Sequence, residues 1–277
     1  MDFRRAARGV WRDRRLRVGL VLLLLLAGAA LLADRLAPAP PGAFSGRPLE
    51  RPGSAHPLGT NDVGQDLLAA TLHGARASLA IGLAAAALST ALAWGLGLLA
   101  GAGQRADATV AALIDLALAL PFLPLALLIV AHIGGRPPVI ALTIGLLSWP
   151  AFARVIRARV RDELRRGHVE AARSLGAGPT RILVRHVLPA TVPIATAKFV
   201  LTAQYAILAE ASLAFLGLGD PATVSWGGTA RRAVGYGLIF ATDSWCWWLL
   251  PPLVSIATAI AAFALIGRAI DDATNVG

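Results

Sequence analysis

Long apolar stretches with few charged residues constrain this chain more than any other feature of its sequence. A helix of about 20 apolar residues crosses the roughly 30 Å of hydrocarbon in a bilayer. Only 15% of the 277 residues are charged, against about 25% in soluble domains. We therefore expect an all-α, polytopic membrane protein with six transmembrane helices. The predicted spans are residues 18–36, 77–103, 108–133, 139–153, 194–216 and 244–267.

The excess of basic residues predicts how these helices are oriented. The chain has 26 Lys and Arg against 16 Asp and Glu, a net charge of +10. Nucleic-acid-binding proteins carry such a charge, but here 18 of the 26 basic residues fall in segments that an alternating topology places on one side. Cytoplasmic loops of membrane proteins have this excess. The pattern predicts that both termini are cytoplasmic and that nucleic acid is not a partner.

The first 76 residues are predicted to form three parts. Residues 1–17 carry seven arginines and are expected to lie as a basic cytoplasmic segment on anionic lipid headgroups. The apolar run at 18–36 has the composition of either a secretory signal or an uncleaved span, and its long basic preface favours a span. Residues 37–76 are expected outside, as a loop rich in Pro and Gly that ends in an amphipathic surface helix at 61–76.

The sequence lacks the residues that most cofactor and metal sites need. One Cys, one Met and five dispersed His give no basis for a disulfide or a soft-metal site. The only Lys, Lys198, lies between Ala197 and Phe199, so the sequence has no Walker A phosphate-binding loop. We expect no cofactor and no enzymatic activity in this chain. If nucleotide energy is used, another chain must bind the nucleotide.

Several positions in or beside the predicted spans carry specific expectations. Pro121 and Pro124 should bend or break the third span. Asp115 and Glu210 are costly in lipid and should face protein or water, either along a translocation path or in a gate or packing contact with a neighbouring subunit. Four arginines at helical spacing follow the fourth span and are expected to contact lipid headgroups or an acidic protein surface. They are Arg154, Arg157, Arg161 and Arg165.

Two local patterns predict how helices pack. Gly97 and Gly101 have the G-x-x-x-G spacing that permits close approach of another helix. Trp245, Trp247 and Trp248, at the start of the last span, are typical of an aromatic belt at the membrane interface.

The predicted cytoplasmic loop at 154–193 contains the most informative segment. Residues 168–176 read HVEAARSLG, in which good helix formers are followed by Gly176; Gly178 and Pro179 come next and also favour a helix end. Small side chains at Ala171 and Ala172 would leave a flat face that another protein can approach closely. A solvated connector would more usually carry larger polar residues there.

This loop resembles that of the inner-membrane subunits of ATP-binding cassette (ABC) importers, whose pattern is E-A-A-x(3)-G-x(9)-I-x-L-P. His186 stands where Ile is usual, a substitution typical of the peptide-transporting branch. Residues 56–66, 74–79, 208–219 and 225–227 also resemble that branch. The matching positions in the loop are Glu170, Ala171, Ala172, Gly176, Leu188 and Pro189. The outer-side matches include His56, Gly59, Thr60, Asp62, Trp226 and Gly227.

The resemblance implies a type I ABC permease fold in a prokaryotic inner membrane, with a five-helix core at 77–277. The helix at 170–176 would be a coupling helix that seats on an ATPase subunit and passes ATP-driven closure to the spans as a rigid-body switch. The implied partners are a second homologous permease, two ATP-binding cassette subunits, an external solute-binding protein and membrane lipids. Di- or oligopeptides are the implied cargo, with nickel chelates, sugars or opines as alternatives. An ATP-independent secondary transporter or channel is the rival from another class.

Overall fold

The computed structural model describes residues 13–37 and 39–275, and within them the only β-structure is two isolated bridges. The predicted all-α class is therefore confirmed for the described chain. The helices, in chain order, are α1 (Arg14–Leu31), α2 (Ala33–Leu36), α3 (Leu67–Leu99), α4 (Gln104–Ala119), α5 (Phe122–Ile133), α6 (Pro137–Leu164), α7 (Gly167–Ser174), α8 (Pro179–Ile182), α9 (Leu188–Phe215), α10 (Trp226–Gly235), α11 (Trp245–Trp248) and α12 (Leu250–Asn275).

Four stretches of the described chain are helical, long and apolar enough to cross a membrane. They are α3, α6, the run Pro179–Phe215 and the run Trp245–Asp272. Helices α4 and α5 qualify only as a pair, bent by 79° at the break between them, and would make a fifth span. Helix α1 does not qualify, because three of its 18 residues are arginines. The protein is thus a multi-pass membrane protein with four or five spans by these criteria.

The third predicted span breaks at its prolines, as the sequence indicates. Helix α4 ends at Ala119 and α5 begins at Phe122. Pro121 is the N-cap of α5, and Pro124 falls in the first turn of that helix. A proline in a first turn removes only an N–H that has no intrahelical partner. The two prolines therefore end one helix and start the next.

Two predicted boundaries near the N-terminus are wrong. The separate surface helix at 61–76 and the core boundary at residue 77 are replaced by one helix that begins at Leu67 and continues to Leu99. Arg76 does not interrupt it, because its guanidinium donates to the Ala30 carbonyl at 3.1 Å and pairs with Asp34 at 3.0 Å. Likewise α1 begins at Arg14, inside the predicted basic segment, of which residues 1–12 lie outside the described chain.

Small residues let other helices pack closely on α3. A Cβ at Gly97 would collide with Ile156, and one at Gly101 would lie 2.8 Å from Val160, so both glycines face α6. The predicted close contact at the G-x-x-x-G pair is therefore confirmed. Gly82 makes an equally close contact with Ile207 of α9. Since lipid is as apolar as a helix surface, such packing is a main source of helix association in membranes.

Helix α1 lies against the last helix and against α3. A Cβ at Gly19 would lie 2.7 Å from the carbonyl oxygen of Ala262 in α12. At the same end of α1, Arg15 pairs with Asp272 at 3.0 Å. At the other end, Arg76 of α3 binds the Ala30 carbonyl. The first helix is thus fixed to the core at both of its ends.

The tryptophan cluster before α12 is only partly exposed. Trp245 is 40% exposed, as a belt residue should be. Trp248 is buried in an apolar cluster and its ring lies 5.7 Å from that of Tyr236, so the belt prediction is wrong for it. The reason is that the outer segment folds back over this end of the bundle and covers the ring.

Candidate functional site

The candidate coupling helix forms where the sequence predicts it and ends in a Schellman motif. Helix α7 ends at Ser174. The Gly176 amide donates to the Arg173 carbonyl at 2.9 Å and the Ala177 amide to that of Ala172 at 3.0 Å. Gly176 has φ +83°, the left-handed conformation that this motif requires and that glycine adopts without strain. The predicted stop at Gly176 is confirmed.

One face of α7 is anchored in the protein and the other is open. Val169 is fully buried in a cluster with Ile156 and Val160 of α6 and with Val187. On the open side, Glu170 and Ala171 are exposed. Leu175, just after the helix, is 89% exposed, which is unusual for so large an apolar side chain at a defined position. The open face offers an acidic group, small residues and one projecting apolar group.

A buried acid that sequence reasoning missed holds α7 to α6. Glu163 lies in the last turn of α6, and its side chain is only 4% exposed. His168 Nε2 lies 3.1 Å from Glu163 Oε1, Arg166 Nε lies 3.2 Å from Oε2, and Arg159 lies within 3.8 Å. In the sequence, this role was indicated by a carboxylate within a stretch dominated by arginines. Its burial could not be predicted, because the turn at 165–166 brings its partners over it.

The second half of the loop motif contacts the first. Residues Leu183–Val187 form a π-helical turn, a rare geometry that is frequent at functional sites. His186, at the position where the loop pattern has Ile, places its ring 5.5 Å from that of His168. Leu188 and Pro189 then begin α9, with Pro189 in its first turn. The motif residues thus form one unit beneath the two long helices α6 and α9.

The first outer motif builds a compact cap on α3. His56 Nδ1 lies 2.7 Å from Asp66 Oδ2, and both side chains are buried. Asp66 Oδ1 accepts the Ala69 N–H at 2.7 Å and so caps α3. The Asp66 carboxylate raises the pKa of His56, against the opposing effect of burial. This pair is therefore charged in mildly acidic medium and fixes the start of the longest helix.

The rest of that motif divides into structural and surface residues. Gly59 has φ +68°, and a Cβ there would lie 2.9 Å from the Trp247 ring. Thr60 is fully buried, and its amide donates to the Glu50 carbonyl at 3.0 Å. Asp62 is exposed. Of the four residues predicted from this motif, Asp62 is thus the one whose side chain is exposed.

The Ser-Trp-Gly motif starts α10 against two membrane helices. Ser225 caps α10 by accepting the Gly228 N–H at 3.2 Å. Trp226 is 1% exposed and donates from Nε1 to the Thr71 carbonyl of α3 at 3.0 Å. Gly227 lies directly on the backbone of Ala211 in α9, where a Cβ would collide. The motif is a packing junction between α3, α9 and α10.

Glu210 belongs to the same junction. Its side chain is 1% exposed and faces the hydroxyls of Ser78 and Ser225. Its Oε2 has no hydrogen-bond partner among the described residues, and no described cation pairs with it. Within the single chain Glu210 therefore faces protein, one of the two environments expected for it. Sequence reasoning did not connect it with Trp226, because the two residues meet only through the turn at 216–225.

The arginines after the fourth span contact acids of the same chain. Arg154 lies 2.7 Å from Asp115. Arg157 forms two hydrogen bonds with Asp107, at 2.6 and 2.7 Å, and Arg161 approaches Asp107 at 3.8 Å. Neither headgroups nor an acidic partner surface is needed to account for these three side chains. Sequence reasoning missed Asp107, and it expected Asp115 to face protein or water without naming Arg154 as its partner.

A match to a known protein family covers most of the helices described above. Residues 93–274, which include α4 to α11 and all of α12 except its last residue, match the family described as binding-protein-dependent transport system inner membrane component. The chain belongs to that family. The resemblance inferred from the loop and outer motifs is thereby confirmed.

The similarity to individual proteins covers more of the chain than the family match does. The chain is 37% identical over 268 residues to a peptide transport system permease protein of Brucella abortus, covering 96% of this chain and 89% of that protein. It is also 37% identical over 267 residues to the di/tripeptide transport system permease protein DppC of Pseudomonas aeruginosa, covering 93% and 86%. The similarity therefore includes α1 and the outer segment as well as the helices of the family match.

Proposed function

We propose that this chain is the permease subunit of an ATP-driven importer of di- and oligopeptides, which an external binding protein delivers. The names of relatives similar over nearly the whole chain support peptides as cargo. The observation that carries the coupling role is the geometry of α7. Val169 and Glu163 hold this helix against the rest of the protein. Glu170, Ala171 and Leu175 are exposed, and a partner would contact the helix through them.

The contacts of α7 suit it to pass on a displacement. A push on its open face is transferred to α6 through the buried Glu163 contacts and through the apolar cluster at Val169. Helix α6 runs from Pro137 to Leu164 with Pro150 inside it, and the stretch from Pro150 to Leu164 would carry a displacement at its cytoplasmic end toward the middle of the bundle. ATP hydrolysis would take place in two separate ATP-binding cassette subunits, and a second homologous permease would complete the pathway.

We infer six spans, with α1 as the first and with both termini in the cytoplasm. Leu24 and Leu25 on α1 are 69% and 65% exposed, as expected for side chains that face lipid. The contacts of Gly19, Arg15 and Arg76 hold this helix against the core, which supports a retained helix rather than a removed signal.

We assign functions on the outer side of the membrane to Glu210 and Asp62. The buried junction of Glu210 with Trp226 would separate or close as α10 moves on α3, so we assign it to the outer gate. Asp62 is exposed on the cap over α3, where an external binding protein would dock.

Substitutions at the end of α7 test the coupling role. Gly176→Asp introduces a side chain at φ +83° and a charge at the docking face, and Glu170→Lys reverses a charge there. Coupling between two sites of a protein commonly changes an affinity by about 5- to 150-fold. Loss of the coupling contact should act on the same scale, so we expect peptide uptake per ATP hydrolysed to fall at least tenfold. The measurement is uptake of labelled dialanine and trialanine by proteoliposomes containing the complex purified through this chain.

Gly178→Asp is the matched control. It adds the same charge two residues away, at φ −69° and at the N-cap of α8, a position that favours Asp. Uptake should remain near that of the unsubstituted complex. Membrane insertion of all three variants should be normal, and normal uptake in both Gly176→Asp and Glu170→Lys would refute the coupling role.

A further inference from the structure

Two ion pairs join the first half of the bent third span to α6. Asp107 and Arg157 form a bidentate pair whose side chains are 22% and 20% exposed. Eight residues further along α4, Asp115 pairs with Arg154 at 2.7 Å, and these side chains are 69% and 57% exposed. Eight helical residues correspond to about 12 Å. The two pairs therefore hold two points of α4 to one turn of α6, which carries both arginines.

The bidentate pair fixes orientation as well as distance. Two parallel N–H to carboxylate bonds restrict how the guanidinium and carboxylate planes can turn. Between the two ion pairs, Val110 and Ile114 of α4 are buried in a cluster with Trp149 and Ala153 of α6. Together these contacts make α4 and α6 a single packed unit on the cytoplasmic half of the bundle.

This unit connects the coupling helix with the break in the third span. Helix α7 is held to the end of α6 by Glu163, one and a half turns beyond Arg157. Helix α4, held by Arg157, ends at Ala119, where the chain turns by 79° into α5. The path α7 to α6 to α4 therefore ends at the sharpest bend described in a candidate span.

We propose that Asp107 and Arg157 are positioning residues, through which displacement of the coupling helix moves α4 and opens or closes the bend at Pro121. This inference rests on the proposed function, since it requires ATP-driven movement of α7. The pair acts through α4 and need not touch the transported peptide.

Charge reversal of the pair tests this role. The variants are Asp107→Arg, Arg157→Asp and the double exchange, in the complex purified through this chain and reconstituted in liposomes. Uptake of labelled trialanine and ATP hydrolysis are measured on the same samples, per amount of inserted complex. Each single variant should lower uptake per ATP about tenfold, and the double exchange should recover most of that loss. Arg105→Asp, two residues from Asp107 on an exposed side chain, is the control and should retain the unsubstituted ratio.

A pair that only stabilised the fold would lower the amount of complex and leave uptake per ATP unchanged, and this result would overturn the proposal. A double exchange that recovers nothing would also overturn it. Absence of ATP-dependent uptake in the unsubstituted complex would instead refute the proposed function.

A cross-link between the same positions tests the single-unit geometry without charge reversal. In a Cys246→Ser background, Asp107→Cys and Arg157→Cys are joined by a short bifunctional thiol reagent. Because both substitutions remove the ion pair, the double-cysteine variant should show the lowered uptake per ATP before cross-linking. If α4 and α6 move together, the cross-link replaces the pair and should restore most of that uptake. A further loss on cross-linking would show that the two helices must separate, contrary to the proposal.

Discussion

The buried pair of His56 and Asp66 links the segment before α3 to the start of that helix. Asp66 both caps α3 and accepts the hydrogen bond of His56, so the start of the longest helix depends on one carboxylate. Removing a partner from a buried polar group costs about 1–3 kcal/mol. The pair therefore controls how firmly the outer segment is fixed to α3.

The stability of this cap should depend on pH. The Asp66 carboxylate raises the pKa of His56 above its usual value of 6.5. The pair's contribution is complete below pH 6.5 and is lost as the pH rises through the raised pKa of the folded state. Hydrogen exchange of amides 67–70, corrected for the intrinsic rate, should become faster across that range. In the His56→Gln variant this increase in the exchange rate with pH should be absent. The same increase in that variant would assign the titration to another group.

Residue types were easier to predict from the sequence than their partners were. Gly176 was identified as a helix stop because its conformational freedom is a local property. Asp107 and Glu163 were missed because their partners are provided by another helix or by a turn, and no local pattern encodes such contacts. Glu210 was recognised as costly in lipid, yet its contact with the Ser225 turn required the fold.

At the scale of helices, packing decides which predicted boundaries hold. The break at Pro121 follows from backbone chemistry and was predicted. The start of α3 was misplaced, because the second span was expected to begin with the uncharged run that follows Arg76, whereas the helix begins at Leu67. In the structure Arg76 binds the end of α1, and the helix continues past it.

The packing of α1 on α12 gives a prediction at this scale. Gly19→Ala would place a Cβ 2.7 Å from the Ala262 carbonyl, so the two helices must move apart. Overpacking of this kind costs about 1–3 kcal/mol. The melting temperature of the detergent-solubilised complex should fall. Gly28→Ala on the same helix meets no atom within 4 Å and should leave it unchanged or slightly higher. Equal melting temperatures for the two variants would show that α1 is not tightly packed.

At the scale of the whole molecule, α7, the ion pairs of α4 and the buried junction at Trp226 lie on one connected set of helices. Helix α6 carries α7 at its end and holds α4 beside it, while α3 and α9 extend to the junction at Trp226. Composition and charge could predict a membrane protein, and four motifs could predict the family. Neither could predict this connectivity, because it arises from contacts between residues far apart in sequence.

The most direct test of the account is peptide uptake by proteoliposomes that contain either this chain alone or the complex purified through it. We predict uptake of labelled dialanine or trialanine only by the complex, and only when ATP and an external binding protein are present. Uptake by the chain alone, without ATP, would contradict the account and indicate a secondary transporter or channel.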